Sequence, residues 1–239
     1  MHIDAIPTIN DARSNDFFQK TVVVIDVLRA TSCIVTAIAN GSSGIVPVET
    51  VHQAVNLHEE DTILCGERHS KKVAGFDFGN SPTELLQCPL NNKKVILTTT
   101  NGTRVIQKCH KGLHILCASF LNAKRCAEAV LHFNRDTIIV SAGTYDKFSL
   151  EDSLCAGLII EEIGSIAAGK SFELNDFAKA MHAAYLHLQG SIETTLLECE
   201  NGQKLKKLGY EDDVKFCSQL NLYPIAPILS DQTLVPLKF

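Results

Sequence analysis

The chain has 239 residues, 45% of them apolar and 21% charged, which is ordinary globular composition with material for one substantial core. Lys and Arg total 22 against 27 Asp and Glu, a formal charge of −5. That balance argues against nucleic acid or an anionic membrane as the main partner, since both favour concentrated positive charge. No apolar run approaches the length that spans a bilayer, and Met1-His2-Ile3-Asp4 lacks the basic and apolar segments of a secretion signal. The expectation is a cytoplasmic protein.

Taken in chain order, short Val/Ile-rich runs alternate with stretches of helical period. Strands are expected at Thr21–Asp26, Gly44–Val48, Thr62–Gly66, Lys94–Thr98, Leu113–Ala118 and Thr137–Ala142. Helices are expected at Ser32–Ala39, Val51–Glu60, Thr103–Cys109 and Asn122–His132. Continuous apolar strands fit a sheet covered on both faces, and their alternation with helices predicts an α/β domain with a mostly parallel or mixed sheet. Thr50 to Gln53 and Ser81 to Glu84 read as capping boxes, the second with Pro82 at the first helical position. A long helix follows Ser149 to about Ala168. Leu174, Phe177, Ala178, Met181, Tyr185 and Leu188 mark one buried helical face. Past Gly190 the chain reads as short helices and then a tail containing Pro224, Pro227 and Pro236. No linker or internal repeat divides residues 1–239, so one domain with a helical carboxyl-terminal third is expected.

Nine cysteines, none in a Cys-x-x-Cys pair and most inside apolar runs, read as buried core thiols. His182 and His187 are five apart, which does not put two zinc ligands on one helical face. Phosphate-loop, dinucleotide-loop and serine-elbow motifs are missing from the sequence.

Polar groups concentrate where the strands end. Asp26 is followed by Arg29, Thr31 and Ser32; Gly66 by Glu67 and Arg68; Thr98 by Asn101, Gly102 and Thr103; and Ser141 by Gly143, Thr144, Glu151 and Asp152. In an open parallel sheet ligands bind at the carboxyl ends of strands, so these four junctions are expected to face one crevice. Helix amino termini and arginines hold oxyanions, and Asp26, Glu67 and Asp152 are a donor set for a hard cation such as Mg²⁺. Such a combination suits metal-assisted phosphoryl chemistry. Framework roles remain open for each residue: Asp26 and Asp152 as helix caps, Arg29, Arg68 and Arg104 as ion-pair residues, and the Asn101-Gly102 step as a turn.

At the same junctions the sequence resembles the 2-phosphosulfolactate phosphatase (ComB) family. The resemblance is carried by Asp26-Val-Leu-Arg-Ala-Thr31-Ser, Gly66-Glu-Arg68, Gly75-Phe-Asp-Phe-Gly-Asn-Ser-Pro82, Thr98-Thr-Thr-Asn-Gly-Thr103 and Glu151-Asp-Ser-Leu-Cys-Ala-Gly157, with a similar tail at Gly209-Tyr-Glu-Asp212. It departs at Arg68-His-Ser-Lys-Lys-Val-Ala-Gly75, where a glycine is expected soon after the arginine. The resemblance implies a three-layer α/β/α, Mg²⁺-dependent phosphatase that converts 2-phosphosulfolactate to sulfolactate and phosphate, a coenzyme M biosynthesis step. Other phosphorylated 2-hydroxy acids are implied as further substrates.

Joined to the residue reading, it assigns Asp26, Glu67 and Asp152 to Mg²⁺. Arg29, Thr31, Ser32 and the Asn101-Gly102-Thr103 helix start are assigned to the phosphoryl oxygens, with Asp26 and Arg29 catalytic. Arg68, Asn80 and Ser81 receive the carboxylate or sulfonate. Attack by water is preferred to an aspartyl phosphate on Asp26, and thiol attack by Cys65 or Cys155 is disfavoured because neither sits in an electropositive loop. The competing class is a non-catalytic binding or sensing protein for a small organic anion. A symmetric dimer is a common assembly for an α/β enzyme of this size.

Overall fold

A computed structural model of the chain describes residues 1–145, 147–169 and 171–238. The strands are β1 (His2–Ile6), β2 (Thr21–Ile25), β3 (Gly44–Val48), β4 (Thr62–Arg68), β5 (Lys71–Lys72), β6 (Lys94–Thr98), β7 (His114–Ala118), β8 (Thr137–Ser141), β9 (Glu173–Leu174), β10 (Pro227–Ser230) and β11 (Thr233–Pro236). The helices are α1 (Ala30–Ala39), α2 (Val51–Asn56), α3 (Pro82–Leu86), α4 (Gly102–Lys108), α5 (Ala123–Phe133), α6 (Leu150–Ile166), α7 (Asp176–Leu188), α8 (Ile192–Glu198), α9 (Glu200–Lys207) and α10 (Glu211–Cys217).

One mixed sheet runs β5-β4-β6-β3-β11-β10-β7-β2-β8-β1-β9. Strands β4, β6 and β3 form one parallel block and β7, β2, β8, β1 and β9 another; the antiparallel hairpin of β10 and β11 is inserted between them. Strand β2 shows why the central runs are apolar throughout. Val23 and Ile25 point into a core with α5, α6 and the later helices, while Val22 and Val24 point into a second core with α1, α3 and α4. Helices therefore cover both faces, which is the three-layer arrangement expected from sequence. All nine cysteines are buried and free, in keeping with their reading as small core residues.

Two hairpins stand outside the expected elements. Strands β4 and β5 pair Glu67 with Lys72 and Arg68 with Lys71, so His69 and Ser70 form a two-residue turn, both at positive φ of 53° and 65°. This is where the family pattern calls for glycine, and the left-handed backbone is the physical need for it. Strands β10 and β11 are likewise joined by Asp231 and Gln232 at φ of 46° and 65°. The segment expected to be a Pro-containing tail is thus a central part of the sheet. Pro224 lies in the loop before β10, while Pro227 and Pro236 fall at strand ends and stand opposite each other.

Candidate active site

All four strand-end junctions line one cleft. Asp26, Leu28 and Arg29 enter after β2; Glu67 and Ser70 from the end of β4; Thr99, Thr100 and Asn101 after β6; Thr144 and Tyr145 after β8. Asn80 contributes from the loop before α3, and Asn201, Lys204 and Leu205 from α9.

The carboxylates at its floor are fixed by the backbone. Asp26 Oδ1 accepts the Ala30 N–H at 3.1 Å, and the carboxylate also accepts the Gly102 N–H. Close approach of α4 explains the glycine: a Cβ on Gly102 would stand 2.8 Å from Asp26 Oδ2 and 2.5 Å from the Ala30 Cβ. Glu67 accepts the Ser70 N–H at 2.6 Å and the Thr100 N–H at 2.7 Å, so one side chain ties the β4–β5 turn to the loop after β6. Burial pushes the Asp26 carboxyl up to about 7; the Ala30 N–H opposes this, while the nearby charges of Glu67 and Glu151 add to it. An excess of buried acceptor charge of this kind favours a bound cation.

Arg29 is held on three sides. Its guanidinium pairs with Asp213 of α10, donates to the Ser70 carbonyl at 3.3 Å and lies 4.1 Å from the centroid of the Tyr210 ring. Asp213 in turn accepts from the Ser81 hydroxyl at 2.8 Å and from the Thr83 hydroxyl, so α10 is latched to both α1 and α3. The Leu28–Arg29 peptide is cis. Asn80 is buried with an Oδ1 that meets no donor among the described residues, although the side chain lines the cleft.

Several residues expected to touch ligand are instead used by the framework. Thr31 Oγ1 donates to the Asp26 carbonyl and accepts the Asp26 N–H, closing the turn that aims the carboxylate. Ser32 donates to the Val27 carbonyl. Thr103 exchanges hydrogen bonds with Thr99. Ser81 caps α3 through the Glu84 N–H besides serving Asp213. Gly102 reaches the site through its N–H. Arg68 turns to the Glu67 and Glu49 carbonyls and the Thr98 hydroxyl, so it lies outside the cleft.

Of the expected Mg²⁺ set of Asp26, Glu67 and Asp152, the first two line the cleft. Asp152 accepts the Val27 N–H at 2.8 Å and the Gly143 N–H at 3.1 Å, bracing the loops after β2 and β8 without lining the cleft. Burial, with Glu151 and Asp26 nearby, raises its pKa well above the carboxylate range. Among the described residues no group of three His, Cys, Asp or Glu side chains is gathered to hold a metal. Two carboxylates and the open Asn80 oxygen nonetheless share the cleft. That hard-oxygen set fits Mg²⁺, which takes one or two protein carboxylates and completes its shell with water and substrate phosphate.

The thiols are poor nucleophiles: burial raises Cys65 and Cys155 well above their ordinary range, and the Cys65 thiol donates to the Gly79 carbonyl. No helix among the described residues is long and apolar enough to cross a membrane.

A cleft at strand ends, combining fixed carboxylates, an arginine and open amide groups, defines the class of α/β enzymes that act on phosphorylated small molecules. The comparisons narrow that class. Residues 7–232 match the family described as 2-phosphosulpholactate phosphatase. A protein of Thermotoga maritima is 42% identical over 214 residues, covering 88% of this chain and 89% of its own length. One of Caldanaerobacter subterraneus subsp. tengcongensis is 37% identical over 235 residues, covering 97% and 96%. One of Clostridium acetobutylicum is 38% identical over 230 residues, covering 95% and 97%. Each is named "probable 2-phosphosulfolactate phosphatase". The chain belongs to the 2-phosphosulfolactate phosphatase family, a family of phosphoric monoester hydrolases.

Proposed function

We propose that the protein is a Mg²⁺-dependent phosphatase that hydrolyses 2-phosphosulfolactate to sulfolactate and phosphate, as in coenzyme M biosynthesis, and accepts other phosphorylated 2-hydroxy acids. The observation that carries this reading is the convergence of Asp26, Glu67, Arg29, Asn80 and Asn101 on one cleft. In this reading Asp26 and Glu67, with the Asn80 oxygen, hold Mg²⁺. A bound Mg²⁺ there would supply charge neutralisation for the phosphoryl oxygens and lower the pKa of a bound water.

Arg29 and the Asn101 amide orient the phosphoryl group. Arg29 is suited to this because Asp213 and Tyr210 fix its fork before substrate arrives. The residue two positions after Asp26 is Leu28 and not a second aspartate that could serve as acid/base for an aspartyl phosphate, which favours Asp26 as a holder of the site over attack on phosphorus. Water is therefore the preferred nucleophile. Nine free cysteines support work in a reducing compartment such as the cytoplasm.

The test is phosphate release from 2-phosphosulfolactate, 2-phospholactate and phosphoglycolate with Mg²⁺ and again with EDTA. Release with Mg²⁺ that EDTA abolishes is the expected result. No release from any of the three would favour the alternative, a binding protein for small organic anions.

A further inference from the structure

Arg68 was the cation expected to meet the substrate's second acidic group, and it faces the framework instead. A phosphorylated 2-hydroxy acid still brings a carboxylate, and 2-phosphosulfolactate a sulfonate as well. The cleft has to neutralise these beside its own Asp26 and Glu67. Among its described lining residues the basic side chains are Arg29 and Lys204, and Arg29 is already paired with a buried Asp213.

Lys204 differs in each respect. It is half-buried on α9, one turn from Asn201, whose amide donates to the Leu28 carbonyl at 2.8 Å and so pins that turn of α9 to the loop bearing Arg29. Its Nζ donates to the Tyr145 hydroxyl at 3.1 Å and stands 5.0 Å from the centroid of that ring. No carboxylate of the described residues pairs with it. The ammonium thus has donors to spare.

Its position also separates it from the phosphoryl end. Thr144, Tyr145, Asn201 and Lys204 line both the cleft and a larger adjoining groove, whereas Asp26, Arg29, Glu67 and Asn101 line the cleft alone. Lys204 stands where one opens into the other. We infer that Lys204, held by Tyr145, receives the carboxylate or sulfonate of the substrate while the phosphoryl group lies at Asp26, Glu67 and Arg29. This makes Lys204 a specificity residue for substrates with a second anion. The inference rests on the phosphatase reading above.

The test compares wild type with Lys204→Met and Lys204→Arg on two substrates: 2-phospholactate, and isopropyl phosphate, which has the same branched carbon skeleton near phosphorus without the carboxylate. Lys204→Met is expected to raise KM for 2-phospholactate about tenfold or more, the scale of a lost charge-assisted hydrogen bond, with kcat changed less than about twofold. KM for isopropyl phosphate should not move, and Lys204→Arg should restore most of the loss. An unchanged KM for 2-phospholactate, or an equal loss on both substrates, overturns the assignment. A calorimetric titration with sulfolactate separates the two readings, because it needs no turnover. If wild type releases no phosphate, the phosphatase reading fails, and Lys204 stands only if Lys204→Met weakens sulfolactate binding. Equal binding by both proteins, or none by wild type, removes Lys204 as well.

Discussion

Replacing Asp26 with asparagine is expected to make the metal-free protein more stable at alkaline pH while abolishing turnover. Folding buries the Asp26 carboxyl and lifts its pKa from 3.8 to about 7, with Glu67 and Glu151 adding to the effect of burial. Because the folded pKa is the higher one, the stability this group contributes is complete below about pH 4. It is lost as pH rises through 7. A rise of roughly three units corresponds to about 4 kcal/mol across that window.

Asparagine escapes this loss because it never ionises, but its amide can accept only one of the Ala30 and Gly102 N–H groups that Asp26 accepts. The orphaned donor costs about 1–3 kcal/mol at every pH. The variant should therefore be the less stable protein near pH 4.5 and the more stable one near pH 8.5, there by about 1–3 kcal/mol, or several degrees in Tm for a chain of this size. Thermal melts of both proteins from pH 4.5 to 8.5 in EDTA measure the crossover. Mg²⁺ at pH 8.5 should raise the wild-type Tm and leave that of Asp26→Asn unchanged. A Tm difference that stays constant over the pH range would mean that the Asp26 carboxyl does not titrate between the folded and unfolded states in this way.

Arg68→Ala should leave KM for 2-phospholactate within about twofold of wild type yet lower stability by about 1–2 kcal/mol, since two half-buried acceptors, the Glu67 carbonyl and the Thr98 hydroxyl, lose their donor; a KM raised tenfold in steady-state assays would return Arg68 to the substrate. Gly102→Ala should lower kcat/KM more than tenfold, because the new Cβ has room only if Asp26 or α1 moves; wild-type activity in that variant would mean that α4 does not hold the carboxylate. His69→Gly should stabilise the chain by about 1 kcal/mol by relieving a left-handed non-glycine residue, and a fall in Tm would show that the His69 side chain contributes more than the turn strain costs.

What the sequence made legible follows from where its signals are local. Continuous apolar runs such as Val22 to Ile25 mark central strands because both faces of each are buried. The polar residues just past those runs mark one rim because parallel strands present their carboxyl ends together. The β4–β5 and β10–β11 hairpins were hidden for a shared reason: His69-Ser70 and Asp231-Gln232 adopt positive φ without the glycine that normally announces such turns. Side-chain direction was hidden too. Asp152 and Arg68 have the right chemistry in the right segments, but their nearest partners are backbone groups that only tertiary structure brings to them. Asp213, Tyr210, Asn201 and Lys204 reach the site from helices more than a hundred residues past β2, and no spacing rule links those segments.

The cleft built by the four strand ends is the proposed seat of the phosphoryl group. That placement is tested most directly by a crystal structure of the protein grown with Mg²⁺ and tungstate, a heavy analogue of phosphate. The anion is expected within hydrogen-bonding reach of Arg29 and Asn101, beside a metal on Asp26 and Glu67. Tungstate bound elsewhere on the molecule, with the cleft at Asp26 empty at saturating concentrations of both ions, would contradict it.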